Sequence, residues 1–472
     1  MAPAMSRLAP HSQRTRTPRI LLIPFDGTWA SHLGKTPTTV ISEFSSLIAT
    51  AENVDNGYRK GVGTKGGLID KVFGGALGSG LVLNVLEAFI KLAGDYQIGD
   101  TIVIIGFSRG AFTARVFAAL TSLVGLLKTQ TVSEARKKLF YQKIHKGLVS
   151  GDLWNNDTLD EVRDGYQFYD DIPIDALCLF DTVASLGVPK VGAGSYIAPV
   201  MRMLPQFRKD YAHFERVMKR PPNSARHVFQ AISVQEARAT YREQVAQKQS
   251  RTTNQVFKQM WFAGNHGNMA QDNGRSGFAD APLAWMIGQL HHYLRVRFDE
   301  GKLHMRFPSY HSSKNLAGAC VTLPPSAAPS ASDSSNRASN STFVQATGVA
   351  PTGSLPRWIY NDVKAPGAFK TFCHGWNQRT PGRYGELTFE EVHITVRLRG
   401  FGLNRADASM VPGYYFVDDG RRWVWRRLPQ EKVKTLRWIA GDKKPAPMPF
   451  IDEGKMLPLE AALLGLSWCL DA

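Results

Sequence analysis

Gly106-Phe107-Ser108-Arg109-Gly110 is the segment whose residue types and spacing point most directly to chemistry. It fits the pattern G-x-S-x-G. It lies between a β-branched apolar run, residues 101–105, and a stretch of helical spacing, residues 111–127. Between a buried strand and a helix, this pattern makes a sharp turn that leaves the serine oxygen exposed at the carboxyl end of a sheet, and small residues flank it because side chains there would collide. Ser108 is therefore the candidate nucleophile. The N–H of Arg109 points to the same place and can stabilise an oxyanion. A serine hydroxyl needs a base, and the base an orienting acid; in this architecture the order along the chain is Ser, then Asp or Glu, then His.

Of the 12 histidines, His266 follows an apolar run directly, in Ala263-Gly264-Asn265-His266-Gly267, which reads as a flexible loop at a strand end and suits a catalytic base. Asp181 ends the apolar run Leu177-Cys178-Leu179-Phe180, where a carboxylate can reach such a loop. It could also cap a helix beginning at Thr182. Glu236, after the run ending at Val234, is the competing acid. A second oxyanion N–H is expected from the loop after the first strand, where Gly27 or Thr28 is the candidate. Asp26 reads as a structural residue that holds this turn.

These residues need a scaffold to bring them together. Residues 19–25 make a strong first strand, and 101–105 lack polar alternation, as in the middle of a parallel sheet. Further strands are predicted at 175–180, 227–234 and 256–262. Helical patterns fall at 39–51, 81–92, 111–127, 133–146 and 281–296, and residues 57–80 form a glycine-rich loop. Strands alternating with helices predict a mostly parallel central sheet flanked by helices. The composition shifts at Pro324, and from there to Asn340 it is Ser, Ala and Pro-rich and reads as a flexible linker. Beyond it, strands are predicted at 389–398 and in a hairpin over 414–425, with an apolar helix at 457–470. The expected organisation is a disordered basic tail at 1–18, a catalytic domain at 19–300, a linker at 301–356 and a smaller α+β C-terminal extension at 357–472, acting as an accessory or lid region.

Across 472 residues, 43% are hydrophobic, enough for a large core, and no apolar run reaches membrane-spanning length. The formal net charge of +17 would draw the surface to anions such as an anionic membrane. The basic residues are scattered, so no specific nucleic acid is expected. The N-terminal stretch to Arg19 is basic and has no apolar core, which argues against a secretory signal; a transit peptide is the alternative to a disordered tail. The 4 cysteines form no CxxC pair, which predicts neither a disulfide framework nor a zinc site and fits a reducing, intracellular and cytoplasmic setting.

Several segments together resemble one family. Phe25-Asp26-Gly27-Thr28-Trp29, Gly61-Val62-Gly63, Gly99-Asp100, the run Gly106 to Arg115, Phe180-Asp181-Thr182-Val183 and Trp261 to His266 come in the family's order. It is the α/β-hydrolase family of largely fungal, uncharacterised proteins that includes the catalytic domain of type VI secretion phospholipase effectors. Arg379-Thr380-Pro381-Gly382 and Glu391-Val392-His393 are similar to the C-terminal part of fungal members. The resemblance implies an α/β-hydrolase fold and ester or phospholipid hydrolysis, with Ser108 as nucleophile, His266 as base and no metal or cofactor. The substrate would be a small-molecule ester or a lipid. The chain departs from the family after His266, where Gly267-Asn268-Met269-Ala270 replaces an acidic residue and a glycine run. That departure motivates the alternative of a catalytically silent binding protein with this fold. An acyltransferase would use the same acyl-enzyme.

Overall fold

The computed structural model describes residues 19–26, 39–48, 54–56, 80–169, 171–183, 214, 219–238, 241–250, 254–270, 277–307, 310, 379, 381–382, 386–396, 411, 414–418, 423–427 and 450–466. In chain order the strands are β1 (Ile20–Phe25), β2 (Val54–Asn56), β3 (Thr101–Phe107), β4 (Leu126–Leu127), β5 (Phe168–Tyr169), β6 (Ile174–Phe180), β7 (Ala225–Ser233), β8 (Val256–Phe262), β9 (Glu390–His393), β10 (Tyr414–Asp418), β11 (Trp423–Arg427) and β12 (Phe450–Gly454). The helices are α1 (Val40–Leu47), α2 (Gly80–Asp95), α3 (Arg109–Val124), α4 (Glu134–Ser150), α5 (Asn156–Arg163), α6 (His266–Ala270), α7 (Asp280–Leu294), α8 (Glu300–Arg306) and α9 (Pro458–Leu464).

The apolar strands sort their side chains by parity. Ile102 and Ile104 of β3, with Leu177 and Leu179 of β6, join a core beneath α2, α3 and α4. Their neighbours Val103, Ile105, Cys178 and Phe180 join a second core beneath α1, α7 and α9. Successive strand residues point to opposite faces, so a strand with no polar alternation must be covered on both sides. The result is an α/β fold: among the described residues, one ten-stranded sheet runs in the order β10-β11-β12-β9-β8-β7-β6-β3-β1-β2. It is parallel from β2 through β12, and β11 then pairs antiparallel with both β12 and β10. β4 and β5 form a separate two-stranded sheet.

The C-terminal extension is built onto this sheet. Residues 259–261 of β8 pair with 390–392 of β9, and β9 pairs in turn with β12, so the sheet crosses the linker without a break. Helix α9 packs on α7, where a Cβ on Gly288 would lie 3.0 Å from the Glu460 Cβ. Buried Glu460 accepts a 2.5 Å hydrogen bond from His393 Nε2, and the His393 ring stacks on Phe262 with 4.6 Å between centroids. This fastens the extension to the edge of β8.

Element boundaries differ from expectation where local chemistry intervenes. The helix predicted to run to 127 stops at Val124, because Gly125 adopts φ 77° and turns the chain into β4. The strand predicted over 389–398 ends at His393, and residues 394–396 are helical. Among the described residues no helix is long and apolar enough to cross a membrane.

Candidate active site

Ser108 sits at the end of β3 with φ 58° and ψ −122°, a strained conformation for a residue with a Cβ. Two constraints hold it there. Its N–H donates to the Phe180 carbonyl at 2.9 Å, continuing the β3–β6 ladder one residue past the strand. Its carbonyl accepts from Phe112 N–H at 3.2 Å, starting α3. The flanking glycines follow from space. A Cβ on Gly106 would stand 2.7 Å from the Ala111 Cα. One on Gly110 would overlap the Phe25 carbonyl at the end of β1. Strand, turn and helix are thus pressed together so closely that only hydrogen fits at both positions.

The other two side chains come from the ends of strands further along the sheet. Asp181 follows β6, the neighbour of β3, and its N–H donates to the Ala231 carbonyl of β7 at 2.7 Å. His266 follows β8 and reaches back across β7. Ser108 Oγ lies 2.8 Å from His266 Nε2, and His266 Nδ1 lies 2.6 Å from Asp181 Oδ2. A carboxylate can only accept, so Nδ1 carries the proton, and Nε2 is left to accept from the serine hydroxyl. The imidazole stacks on Phe107 at 5.0 Å and meets the Tyr241 ring at 4.8 Å, which limits its rotation. Ser108, Asp181 and His266 are 8%, 0% and 6% exposed, so the chain of hydrogen bonds is shielded from water.

His266 opens the short helix α6, where a flexible loop is expected from sequence. Gly264 at φ 110° makes the turn, and the side chains of Asn265 and Asn268 accept from each other's backbone N–H at 3.2 and 3.0 Å.

Asp181 is also held from behind. Its Oδ1 accepts from Ser233 N–H at 2.9 Å and from the Arg379 guanidinium at 2.5 Å; its Oδ2 accepts from Ser233 Oγ at 3.0 Å. Burial alone would raise the Asp181 pKa, but Arg379 and His266 together overcome it and hold the carboxyl below the ordinary carboxylate range. The sequence alone assigns Arg379 no chemical role. The available signals were its place in the Arg379–Gly382 segment and Ser233, a polar residue ending a strand whose other interior positions are mostly apolar.

Glu236 is not a partner of the imidazole. Its carboxylate pairs with Arg238, at 2.8 Å to Nε and 2.7 Å to Nη2, and accepts the backbone N–H of His266 at 3.2 Å. Burial opposes its ionisation, but Arg238 outweighs burial and lowers its pKa. Arg109 begins α3, where the first amides lack intrahelical acceptors. Gly27 and Thr28 lie outside the described residues. Asp26 accepts from Thr39 Oγ1 at 2.6 Å, which ties the end of β1 to the start of α1. Cys178 is fully buried, and burial pushes its thiol pKa up, so it is a core residue. Among the described residues no group of 3 or more His, Cys, Asp or Glu could hold a metal ion.

Residues 19–289 match the family described as T6SS, phospholipase effector Tle1-like, catalytic domain. The chain is also similar to the uncharacterized protein YEL023C of Saccharomyces cerevisiae, 27% identical over 199 residues, which are 38% of this chain and 28% of the yeast protein. A solved structure of the Tle1 effector bound to the VgrG spike from the type VI secretion system aligns at 14% identity and a TM-score of 0.24. That alignment covers 57% of this chain and 56% of the Tle1 chain, so the chain spans less than two thirds of either relative.

Proposed function

Because the chain belongs to the Tle1-like phospholipase-effector catalytic-domain family, we propose that it is a serine hydrolase that cleaves carboxylic esters of the lipid or phospholipid class. The observation that carries this reading is the hydrogen-bonded chain Ser108 Oγ–His266 Nε2 and His266 Nδ1–Asp181 Oδ2. In the first half-reaction Ser108 Oγ attacks the ester carbonyl while His266 Nε2 takes its proton. Asp181 keeps the imidazole in the tautomer that can accept at Nε2 and stabilises the imidazolium. The tetrahedral oxyanion takes hydrogen bonds from the Arg109 N–H, at the positive end of α3, and from the N–H of Gly27 or Thr28. His266 returns the proton to the leaving alcohol, and the acyl group stays on Ser108. A water then attacks the acyl-enzyme through the same base, releasing the acid and restoring the hydroxyl. These residues complete the cycle without a cofactor. The basic surface suits a substrate carrying a phosphate head group or lying in an anionic membrane.

The test is hydrolysis of a panel of p-nitrophenyl esters and phospholipids by the purified protein, with Ser108→Ala alongside. Ser108→Ala is expected to lower turnover by about 10³-fold or more while leaving the far-ultraviolet circular dichroism unchanged. No turnover in either protein, with both folded, would favour a silent fold that binds a ligand or partner. An acyl-enzyme that forms but passes its acyl group only to an added alcohol would favour an acyltransferase.

A further inference from the structure

We propose that Arg379 is a positioning residue for this site: it clamps Asp181 against β7 and sets the charge that the His266–Asp181 pair feels, so the C-terminal extension completes the catalytic apparatus. The inference rests on the serine-hydrolase reading for its consequence in turnover and on geometry for the rest. Arg379 lies 198 residues beyond Asp181 in the chain, yet its side chain is 1% exposed. One guanidinium nitrogen, Nη1, reaches Asp181 Oδ1 at 2.5 Å, the Ser233 carbonyl at 2.9 Å and Ser233 Oγ at 2.7 Å. The other, Nη2, reaches the Tyr241 carbonyl at 2.5 Å, and Nε lies 3.6 Å from Glu243. A planar guanidinium spreads fixed donors over three nitrogens and so spans a carboxylate and two backbone carbonyls that lie around its rim, where a lysine offers one compact ammonium.

The contacts are aimed at function because they divide the labour on one carboxylate. Oδ2 faces His266 and Ser233 Oγ, while Oδ1 takes Arg379 and the Ser233 N–H. The carboxylate cannot rotate away from the imidazole without breaking bonds on its far side. The charges joined by these contacts are Asp181, Glu236 and Glu243 against Arg238 and Arg379. Three carboxylates and two guanidinium cations meet in these contacts. Tyr241 contributes a ring against His266. Removing Arg379 deepens the negative field, and burial then no longer meets a fixed cation beside Asp181. Both changes favour a proton on the pair, whichever member carries it. A pair that holds its proton to higher pH is a poorer base at neutral pH.

The experiment follows the protonation of His266 in the full chain by NMR with isotope-labelled histidine, the signal assigned by its loss in His266→Asn. Ester hydrolysis is measured against pH in parallel. Arg379→Gln is expected to move the titration midpoint and the acid limb of kcat/KM up by about one pH unit and to lower kcat at pH 7 about tenfold. Arg379→Lys keeps the charge and should restore the midpoint while kcat stays below wild type. Glu243→Gln removes a negative charge 3.6 Å from Arg379 and should move the midpoint down. It carries the test if Arg379→Gln does not fold. Unchanged midpoints in folded Arg379→Gln, or in Glu243→Gln, would reduce Arg379 to a packing element and overturn the proposal. Absence of ester turnover in the wild type, with the midpoints shifting as expected, would instead overturn the hydrolase reading and leave Arg379's hold on the pair standing.

Discussion

Two carboxylates stand near His266, and the difference between them is which part of the histidine they touch. Asp181 bonds the ring nitrogen at 2.6 Å; Glu236 bonds the backbone N–H at 3.2 Å and is otherwise engaged by Arg238. Asp181→Asn presents the ring with an amide that can donate as readily as accept, which favours the wrong tautomer, and kcat is expected to fall by about 10⁴-fold. It also leaves the buried Arg379 without its nearest charge, a cost of about 3–5 kcal/mol that a denaturant titration would register. Glu236→Gln keeps a carbonyl oxygen for the His266 N–H and should cost less than about tenfold in kcat. A larger loss for Glu236→Gln than for Asp181→Asn would reverse the two roles. Ser108, Asp181 and His266 are candidates from sequence because each lies at or just past the end of an apolar strand, and strand ends meet in a parallel sheet. The choice between Asp181 and Glu236 stayed open there because both obey that rule. Arg379 could not be placed, because an irregular segment far along the chain carries no periodicity that says where it returns.

The turn around Ser108 shows how much of an element is steric necessity. Residues 106–110 were legible because the pattern, the strand before it and the helix after it agree. What the sequence could not say is what each glycine faces. Gly110 faces the Phe25 carbonyl of β1, a backbone atom that cannot swing aside. Gly110→Ala should therefore destabilise the fold by about 3 kcal/mol, seen as a lower denaturation midpoint, and should lower turnover even where folding is complete. Gly94, exposed near the end of α2, meets nothing within 4 Å, and Gly94→Ala should stabilise by about 0.5–1 kcal/mol. The same unfolding measurement checks both, and equal effects would mean that close approach of β1 is not what requires glycine at 110. Boundaries were less legible than elements. Gly125 ends α3 through its positive φ, and the helical residues after His393 end β9, both within apolar runs whose hydrophobicity fits either state.

At the scale of the whole molecule, the linker is a boundary in composition that the sheet ignores. The Ser, Ala and Pro-rich stretch divides the sequence plainly, and a strand pattern of a few residues cannot reveal which sheet it joins. Pairing decides it: β9 adds to β8, β12 to β9, and Trp261 of β8 is buried beside Val392, Tyr414 and Trp425, with its indole N–H on Glu390 at 2.8 Å. A chain ending at residue 300 would lose all of this. β8 would become an edge strand with an unpaired row of backbone groups and an uncovered tryptophan, a template for aggregation. Asp181 would lose Arg379, and β8 would lose the His393 ring that stacks on Phe262 and is held by Glu460. The fragment 1–300 is therefore expected to be aggregated on size-exclusion chromatography and to react with a fluorophosphonate serine probe at least about tenfold more slowly than the full chain. Co-expression with residues 357–472 as a separate chain should recover part of both, since the missing strands pair through backbone hydrogen bonds that need no covalent link. A monomeric fragment 1–300 that reacts like the full protein would make the extension an accessory, and the shared sheet would then be a matter of architecture alone.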